Sequence, residues 1–309
     1  MLETAILIPI KDEKDSLPQL FKEIQDLFDL NPTLLPAEVL VIDDGSRDGS
    51  WVALEEHKNI YDWLKPYKFQ FNQGKALALD FGFQESNSKY VVTMDGDLQD
   101  QPKEIPEMIE MLKNGKDLIS GWKKIRHDPW HKTLPSKLFN IVTSLVAGHR
   151  LHDFNCGLKA YKRDVVKSIR LQGDFHRFIP VLAVWKGFEI DEKIVEHRSR
   201  QHGVSKYGIS RLLSGFLDLI TLLFLQKYSQ KPLHLFGLVG VLFSVFGLGV
   251  FGYFFVEWLM IGETHLRPLM VMAGVSFIIG LQFISLGLLG EMLNNRTAEA
   301  GRPIADKMS

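Results

Sequence analysis

Tyr90-Val91-Val92-Thr93-Met94-Asp95-Gly96-Asp97-Leu98-Gln99-Asp100 is the stretch that decides how this chain is read. Five uncharged residues read as a buried strand, and two carboxylates at spacing i, i+2 follow directly. Paired carboxylates are hard oxygen ligands. Magnesium suits them, because it keeps several waters and binds through one or two carboxylates plus phosphate oxygens. An Asp-x-Asp is common in surface turns, so its neighbourhood carries the argument.

Upstream, the same arrangement occurs twice. Ala5-Ile6-Leu7-Ile8 reads as a strand that ends in Pro9-Ile10-Lys11-Asp12-Glu13. Val39-Leu40-Val41-Ile42 reads as another, ending in Asp43-Asp44-Gly45-Ser46-Arg47-Asp48-Gly49-Ser50. Between them Leu17, Leu20, Phe21, Ile24, Leu27 and Phe28 fall at helical spacing, with Asp15 or Ser16 to cap the helix and Pro18 in its first turn. Asp48 suits a cap of the following helix. Strands alternating with helices predict a parallel α/β sheet covered on both faces, with ligands at the carboxyl ends of its strands. Asn72-Gln73-Gly74-Lys75-Ala76 opens a further helix through Leu77, Leu79 and Phe81. There Lys75 can meet an anionic or carbonyl-bearing ligand, but the glycine spacing of a P-loop is absent.

Composition sets the outer bounds. The chain has 309 residues, 24% charged and 46% hydrophobic, which excludes a disordered or disulfide-stapled chain. Lys plus Arg is 36 and Asp plus Glu is 37, so no basic excess points to nucleic acid. Cys156 is the single cysteine and fits a reducing compartment. The apolar start, Ala5 to Ile10, is too short for a signal peptide and runs into Lys11, Asp12 and Glu13.

The average conceals a split. Pro232 to Val256 (25 residues) and Pro268 to Gly290 (23 residues) contain no Asp, Glu, Lys or Arg. Each is long enough to cross a hydrocarbon core as a helix. Ile209 to Leu225, rich in Leu and Phe but interrupted by Arg211 and Asp218, reads as an interfacial helix. Arg211, Lys227 and Lys231 precede the first span, and Arg296, Arg302 and Lys307 follow the second. The loop Glu257 to Arg267 carries one basic residue, so both termini are expected in the cytoplasm. The expected domains are a catalytic domain over 1–208, interfacial helices over 209–231 and a membrane domain over 232–309, with spans near 233–257 and 268–291.

The strand-end motifs, in this order, resemble glycosyltransferase family 2. Two later motifs narrow the resemblance: Asp153-Phe154-Asn155-Cys156-Gly157-Leu158-Lys159-Ala160-Tyr161, and His197-x-x-Arg200-x-x-Gly203-x-Ser205-Lys206-Tyr207. Together they are similar to the polyprenyl-phosphate glycosyltransferases over nearly the whole chain. The resemblance implies a GT-A, Rossmann-like nucleotide-sugar domain followed by interfacial helices and two transmembrane helices. It implies transfer of a sugar from a UDP- or GDP-linked donor to a polyprenyl phosphate, with Mg2+ or Mn2+, at the cytoplasmic face of the bilayer.

Residue by residue, it implies that Asp43 and Lys75 help hold the base, with Pro9 and Glu13 in the same wall. Asp95, Asp97 and Gln99 would hold the metal and the donor diphosphate. Arg200, Ser205 and Lys206 would lie on a loop over both phosphates, and Arg126, Lys132 and Ser136 would meet the acceptor phosphate. Some members carry an acid at the position of Gly157, so Asp153 is the nearest alternative as a base. Two spans resemble the bacterial glucosyltransferases, hence an expectation of glucose, and some members are tetramers, hence one of a homo-oligomer.

Two other readings stay open: a membrane glycosyltransferase acting on a glycolipid or polysaccharide hydroxyl, and a catalytically silent nucleotide-binding anchor. The first usually shows Gln-x-x-Arg-Trp and more spans, neither of which is present.

Overall fold

The computed structural model describes residues 2–124, 140–196, 198, 210–228, 231–262 and 267–300. The chain divides into two compact units, Met1–Leu219 and Ile220–Ser309.

The first unit is built on a seven-stranded sheet. Its strands are β1 (Thr4–Ile10), β2 (Ala37–Asp43), β3 (Leu64–Lys68), β4 (Tyr90–Thr93), β5 (Leu118–Trp122), β6 (Lys159–Lys162) and β7 (Ile190–Ile194), in the order β3-β2-β1-β4-β6-β5-β7. The helices α1 (Leu17–Leu30), α2 (Ser50–Lys58), α3 (Lys75–Glu85), α4 (Ile105–Lys113), α5 (residues 140–147), α6 (Arg163–Ser168) and α7 (Ile179–Trp185) surround it. The side chains of α1 that the helical spacing singled out are the ones it buries. Phe21, wholly buried, meets Tyr61 and Trp63 edge-on at ring-centre distances of 6.2 and 6.0 Å. Such pairs add to simple area burial.

The expected capping hydrogen bond at α1 is replaced by another contact. Ser16 occupies the N-cap position without bonding the helix's own amides. Its hydroxyl instead donates to the Gly96 carbonyl at 2.7 Å, 80 residues away in sequence. The start of α1 is thereby tied to the loop that follows β4.

The sheet departs from the all-parallel expectation at one strand. β6 runs antiparallel between β4 and β5, pairing Thr93 with Lys159 and Tyr90 with Lys162. The reason lies in the connection. The segment before β6 lies at the carboxyl end of β4, so β6 must enter the sheet from that end. Its first residues therefore face the loop carrying Asp95, whereas a parallel strand would have delivered its last ones there.

Across the boundary of the first unit runs α8 (Ser210–Tyr228), over the stretch read as an interfacial helix. The second unit continues with α9 (Pro232–Ile261) and α10 (Pro268–Ala300). Pro232–Ile261 and Pro268–Leu293 are both long and apolar enough to cross a membrane. They pack closely because small residues meet. A Cβ on Gly240 would fall 2.6 Å from the Gly280 carbonyl, and one on Gly247 would fall 2.7 Å from that of Ala273. Ser276 donates to the Phe243 carbonyl at 3.0 Å across the same pair.

Truncating Phe21 to Ala should cost about 3–5 kcal/mol. This would appear as a lower urea midpoint for the full-length protein in detergent, monitored by tryptophan fluorescence.

Candidate active site

At the carboxyl ends of β1, β2 and β4 the chain encloses a cleft of about 590 Å3. Pro9, Glu13, Lys75, Asp95, Asp97, Gln99 and Asp153 all line it. Seven of the residues singled out from sequence, drawn from four separate segments, therefore share one cavity.

Its rim is fastened by backbone amides donating to side chains. Asp12 adopts a left-handed conformation (φ 54°), uncommon for a non-glycine residue. Its amide donates to the Ser46 hydroxyl at 2.9 Å, and its carboxylate accepts the Arg47 amide at 2.8 Å. The loops after β1 and β2 are thus clipped together. The N-cap position of α2 is taken by Gly49 and not by Asp48, which stands one residue earlier and accepts the Ser50 amide at 2.9 Å.

Asp43 and Asp44 have different surroundings. Asp43 is wholly buried and is not among the cleft-lining residues. One of its oxygens accepts the Ser46 amide at 2.8 Å, and the other has no hydrogen-bond partner among the described residues. Asp44 lines the cleft and receives the amides of Gln73 and Gly74 at 2.6 and 2.9 Å, which sets the approach to α3 and Lys75.

The loop after β4 is the centre of the site. Leu98 sits between Asp97 and Gln99 at φ 63° with its side chain buried. A leucine in that region is strained and is held there by its packing. Asp97 is 6% exposed and accepts the Gln99 amide at 3.2 Å. The Gln99 side-chain amide donates to the Arg198 carbonyl at 3.5 Å, and the Arg198 amide donates back to the Gln99 carbonyl at 3.2 Å. Arg198 also reaches Glu23 on α1 at 2.7 Å.

Asp95 is gripped from three directions. Lys75 forms an ion pair with it from the first turn of α3. Its own amide donates to Asp100 at 3.2 Å, and Asp100 pairs with Lys123 at 2.9 Å. From the segment that leads into β6, Gly157 lies so close that a Cβ there would fall 2.7 Å from the Asp95 carboxylate. Thr93 holds that approach by donating to the Gly157 carbonyl at 2.9 Å. Burial raises the Asp95 pKa, but Lys75, with a smaller contribution from Lys123, outweighs it and holds the carboxyl well below the ordinary range. Burial disfavours the Lys123 charge, yet Asp100 keeps that ammonium above the usual lysine value.

The far wall of the cleft carries residues for which sequence reading gave no role. Lys159, 3% exposed, donates to the Cys156 carbonyl, and burial lowers its pKa. The Cys156 thiol is pushed up to about 12, chiefly by burial, so it stays protonated. His176 and Arg177 come from a 3-10 turn, Phe175–Phe178. Lys159 had a visible signal, since it stands within the quoted Asp153–Tyr161 motif. His176 and Arg177 had none, because they reach the cleft only by tertiary packing. Asp153 is buried and accepts the Asn155 amide at 3.0 Å, while Glu192 receives its amide at 3.1 Å. Arg126, Lys132, Ser136, Arg200, Ser205 and Lys206 lie outside the described residues.

Asp95 and Asp97, two of the six carboxylates that line the cleft, are hard oxygen donors of the kind that bind a divalent cation together with phosphate and water.

Residues 5–170 match the family model described as glycosyl transferase family 2. The chain belongs to that family. It is a glycosyltransferase, and its mixed sheet is that of a GT-A domain. Among curated relatives it is 33% identical to the dodecaprenyl-phosphate galacturonate synthase of Rhizobium johnstonii, covering 94% of this chain and 88% of that protein. It is 31% identical to the undecaprenyl-phosphate 4-deoxy-4-formamido-L-arabinose transferase of Pseudomonas syringae pv. syringae, covering 94% of this chain and 85% of that one. In fold it is similar to a mannosyltransferase from Pyrobaculum calidifontis solved with GDP-Man and Mn2+, with a TM-score of 0.51 and 15% identity over 98% of this chain and 76% of that one.

Two outcomes follow for this family 2 site. Gly157→Ala should displace the Asp95 carboxylate and weaken Mn2+ and nucleotide binding at least about tenfold without unfolding the chain, as read by titration calorimetry and a thermal melt. The Lys75–Asp95 pair stabilises the fold fully above the ordinary aspartate value of 3.8, and that contribution is lost as pH falls below it toward the lowered folded value. In Lys75→Met the Asp95 pKa should rise, and the acid limb of Mn2+ binding should move to higher pH than in the wild type.

Proposed function

We propose that this chain transfers a sugar from a nucleotide sugar to a polyprenyl phosphate at the cytoplasmic face of a membrane, with inversion at the anomeric carbon. The observation that carries this reading is the cleft itself: Asp95, Asp97, Lys75 and Asp153 converge at the strand ends of a family 2 domain. The chain also carries two helices long enough to span a bilayer. Relatives named for polyprenyl-phosphate sugar transfer, similar over 94% of the chain, support the acceptor.

A divalent cation, Mg2+ or Mn2+, would be held by Asp95 and Asp97 with Gln99 beside them, and when bound it neutralises charge on the departing diphosphate. Asp44 orders the start of α3, so that Lys75 is presented to the donor. One acceptor phosphate oxygen forms the new bond to the anomeric carbon as the bond to the nucleotide diphosphate breaks. A phosphate is already anionic near neutral pH, so it needs alignment and desolvation more than a strong base. In this reading Asp153 orients the cationic groups around the acceptor rather than removing a proton. Arg126, Lys132, Ser136, Arg200, Ser205 and Lys206 complete the two phosphate sites, with arginine suited to bidentate grip.

The catalytic domain is taken as 1–208. The stretch 209–231 lies along the bilayer surface and sets the height of the cleft above the lipid phosphate. Glucose is the sugar suggested by resemblance to two-span glucosyltransferases, and a homo-oligomer is the expected assembly.

The test is a donor panel. Full-length protein in liposomes receives undecaprenyl phosphate, Mg2+ or Mn2+, and labelled UDP-glucose, UDP-galacturonate, UDP-N-acetylglucosamine or GDP-mannose. Chelator-sensitive label in the organic phase from at least one donor is the expected result. Label found only on a hydroxyl acceptor, or none despite bound nucleotide, would sink the reading. Asp97→Asn should lower turnover by about 10²–10³.

A further inference from the structure

The 3-10 turn Phe175–Phe178 and the start of β6 together place three basic side chains in the cleft whose hydrogen-bonding capacity is largely unused. Lys159 is 3% exposed and donates to a carbonyl, and no carboxylate lies within ion-pair distance of it among the described residues. Arg177 is 6% exposed. One of its terminal nitrogens reaches Asp174 at 3.2 Å, while its Nε is buried with no partner among the described residues. His176 Nδ1 is likewise buried and without a partner. Burial and the nearby charges of Lys75, Arg177 and Lys159 push the imidazole well below its ordinary pKa, so at neutral pH it is neutral and can donate one hydrogen bond.

Burying a cation without an anion is costly, and a buried donor without an acceptor costs as well. Lys159 without an ion-pair partner, and Arg177 Nε and His176 Nδ1 without acceptors among the described residues, open into one cavity and describe a receptor that is complete only when an anionic oxygen group enters. We propose that Lys159, His176 and Arg177 form a subsite for a carboxylate on the transferred sugar, so that the donor is a nucleotide-linked sugar acid. The inference rests on the glycosyl-transfer reading above and names its donor class, departing from the glucose expectation.

Three groups could supply an anionic oxygen here: the donor diphosphate, the sugar and the acceptor phosphate. In the reading above the diphosphate is met by Lys75 and by the cation at Asp95 and Asp97, and it is common to every donor on the same nucleotide. Burial favours the sugar. A lipid phosphate remains tethered to a chain in the bilayer and must be met where the cleft opens. The sugar is carried inward by its nucleotide, and the two strongest cations of the subsite are more than nine-tenths enclosed. A planar guanidinium also matches a carboxylate in a fork-to-fork geometry. A neutral hexose would leave these groups unpaired, which is how polar sites reject analogues that lack the group they read.

The test compares acid and parent sugars on the same nucleotide: UDP-glucuronate with UDP-glucose, UDP-galacturonate with UDP-galactose, and GDP-mannuronate with GDP-mannose. Binding to the full-length protein in detergent with Mn2+ is measured by calorimetry, and transfer to undecaprenyl phosphate is measured separately. At least one acid donor should bind about tenfold or more tightly than its parent. Arg177→Gln and His176→Gln, each verified as folded by thermal melt, should each cut that acid-to-neutral ratio at least about fivefold. Equal or better binding of the parent in every pair, or no donor bound at all, overturns the proposal. So does an Arg177→Gln protein whose KM for polyprenyl phosphate rises while the ratio holds, since the cations would then serve the acceptor. Preferential binding of an acid donor with no lipid product supports the subsite and rejects the acceptor instead.

Discussion

Everything in the cleft depends on the packing of Gly157 against the carboxylate of Asp95. Asp95 must stay ionised and fixed in a partly desolvated position, which is unfavourable unless cations and donors surround it. Lys75 supplies the charge from α3. Asp100 holds the backbone amide and is itself balanced by Lys123. The segment leading into β6 closes the remaining side with Gly157, a residue that has no side chain. Any larger residue there would have to displace the carboxylate or push the strand away.

That constraint accounts for the one irregularity in the sheet. An antiparallel β6 brings the start of its strand, rather than its end, to the carboxylate loop. The preceding segment then delivers Asp153, Cys156 and Gly157 to the cleft, and the first strand residue, Lys159, follows. Ser16, whose hydroxyl bonds the Gly96 carbonyl, anchors the same loop from the opposite layer. The strained Leu98 between the second carboxylate and Gln99 is tolerated because its side chain is fully packed.

The second unit follows a different physics. Its two apolar helices gain nothing from burying leucine against leucine in lipid, so they associate where glycines let the backbones approach. Gly247, Gly280 and Gly287 are used for this contact within the chain, whereas Gly249 has open space around it. The small residues therefore explain how the two helices come together.

Local pattern was enough to reveal the strand–helix alternation, the buried face of α1, the two apolar helices and the acidic strand ends, because each depends on residues adjacent in sequence or one helical turn apart. Pro9, Glu13, Asp95, Asp97 and Gln99 were legible on that basis, since a residue at a strand's carboxyl end has only one place to go, whereas Lys75 was read from the start of its helix and Asp153 through the family resemblance. What stayed hidden depends on which distant segments meet. The direction of β6 follows from where its connection enters the sheet, which no periodicity encodes. That Asp44 and not Asp43 lines the cleft goes with which of two adjacent carboxylates receives the Gln73 and Gly74 amides, some 30 residues away. His176 and Arg177 lie in an ordinary-looking stretch and acquire meaning only when their turn is packed beside Lys75 and Lys159. Sequence determined the elements and the chemistry at their ends. Tertiary structure decided which charges face one another, because electrostatic neighbours are set by distance in space and not by separation along the chain.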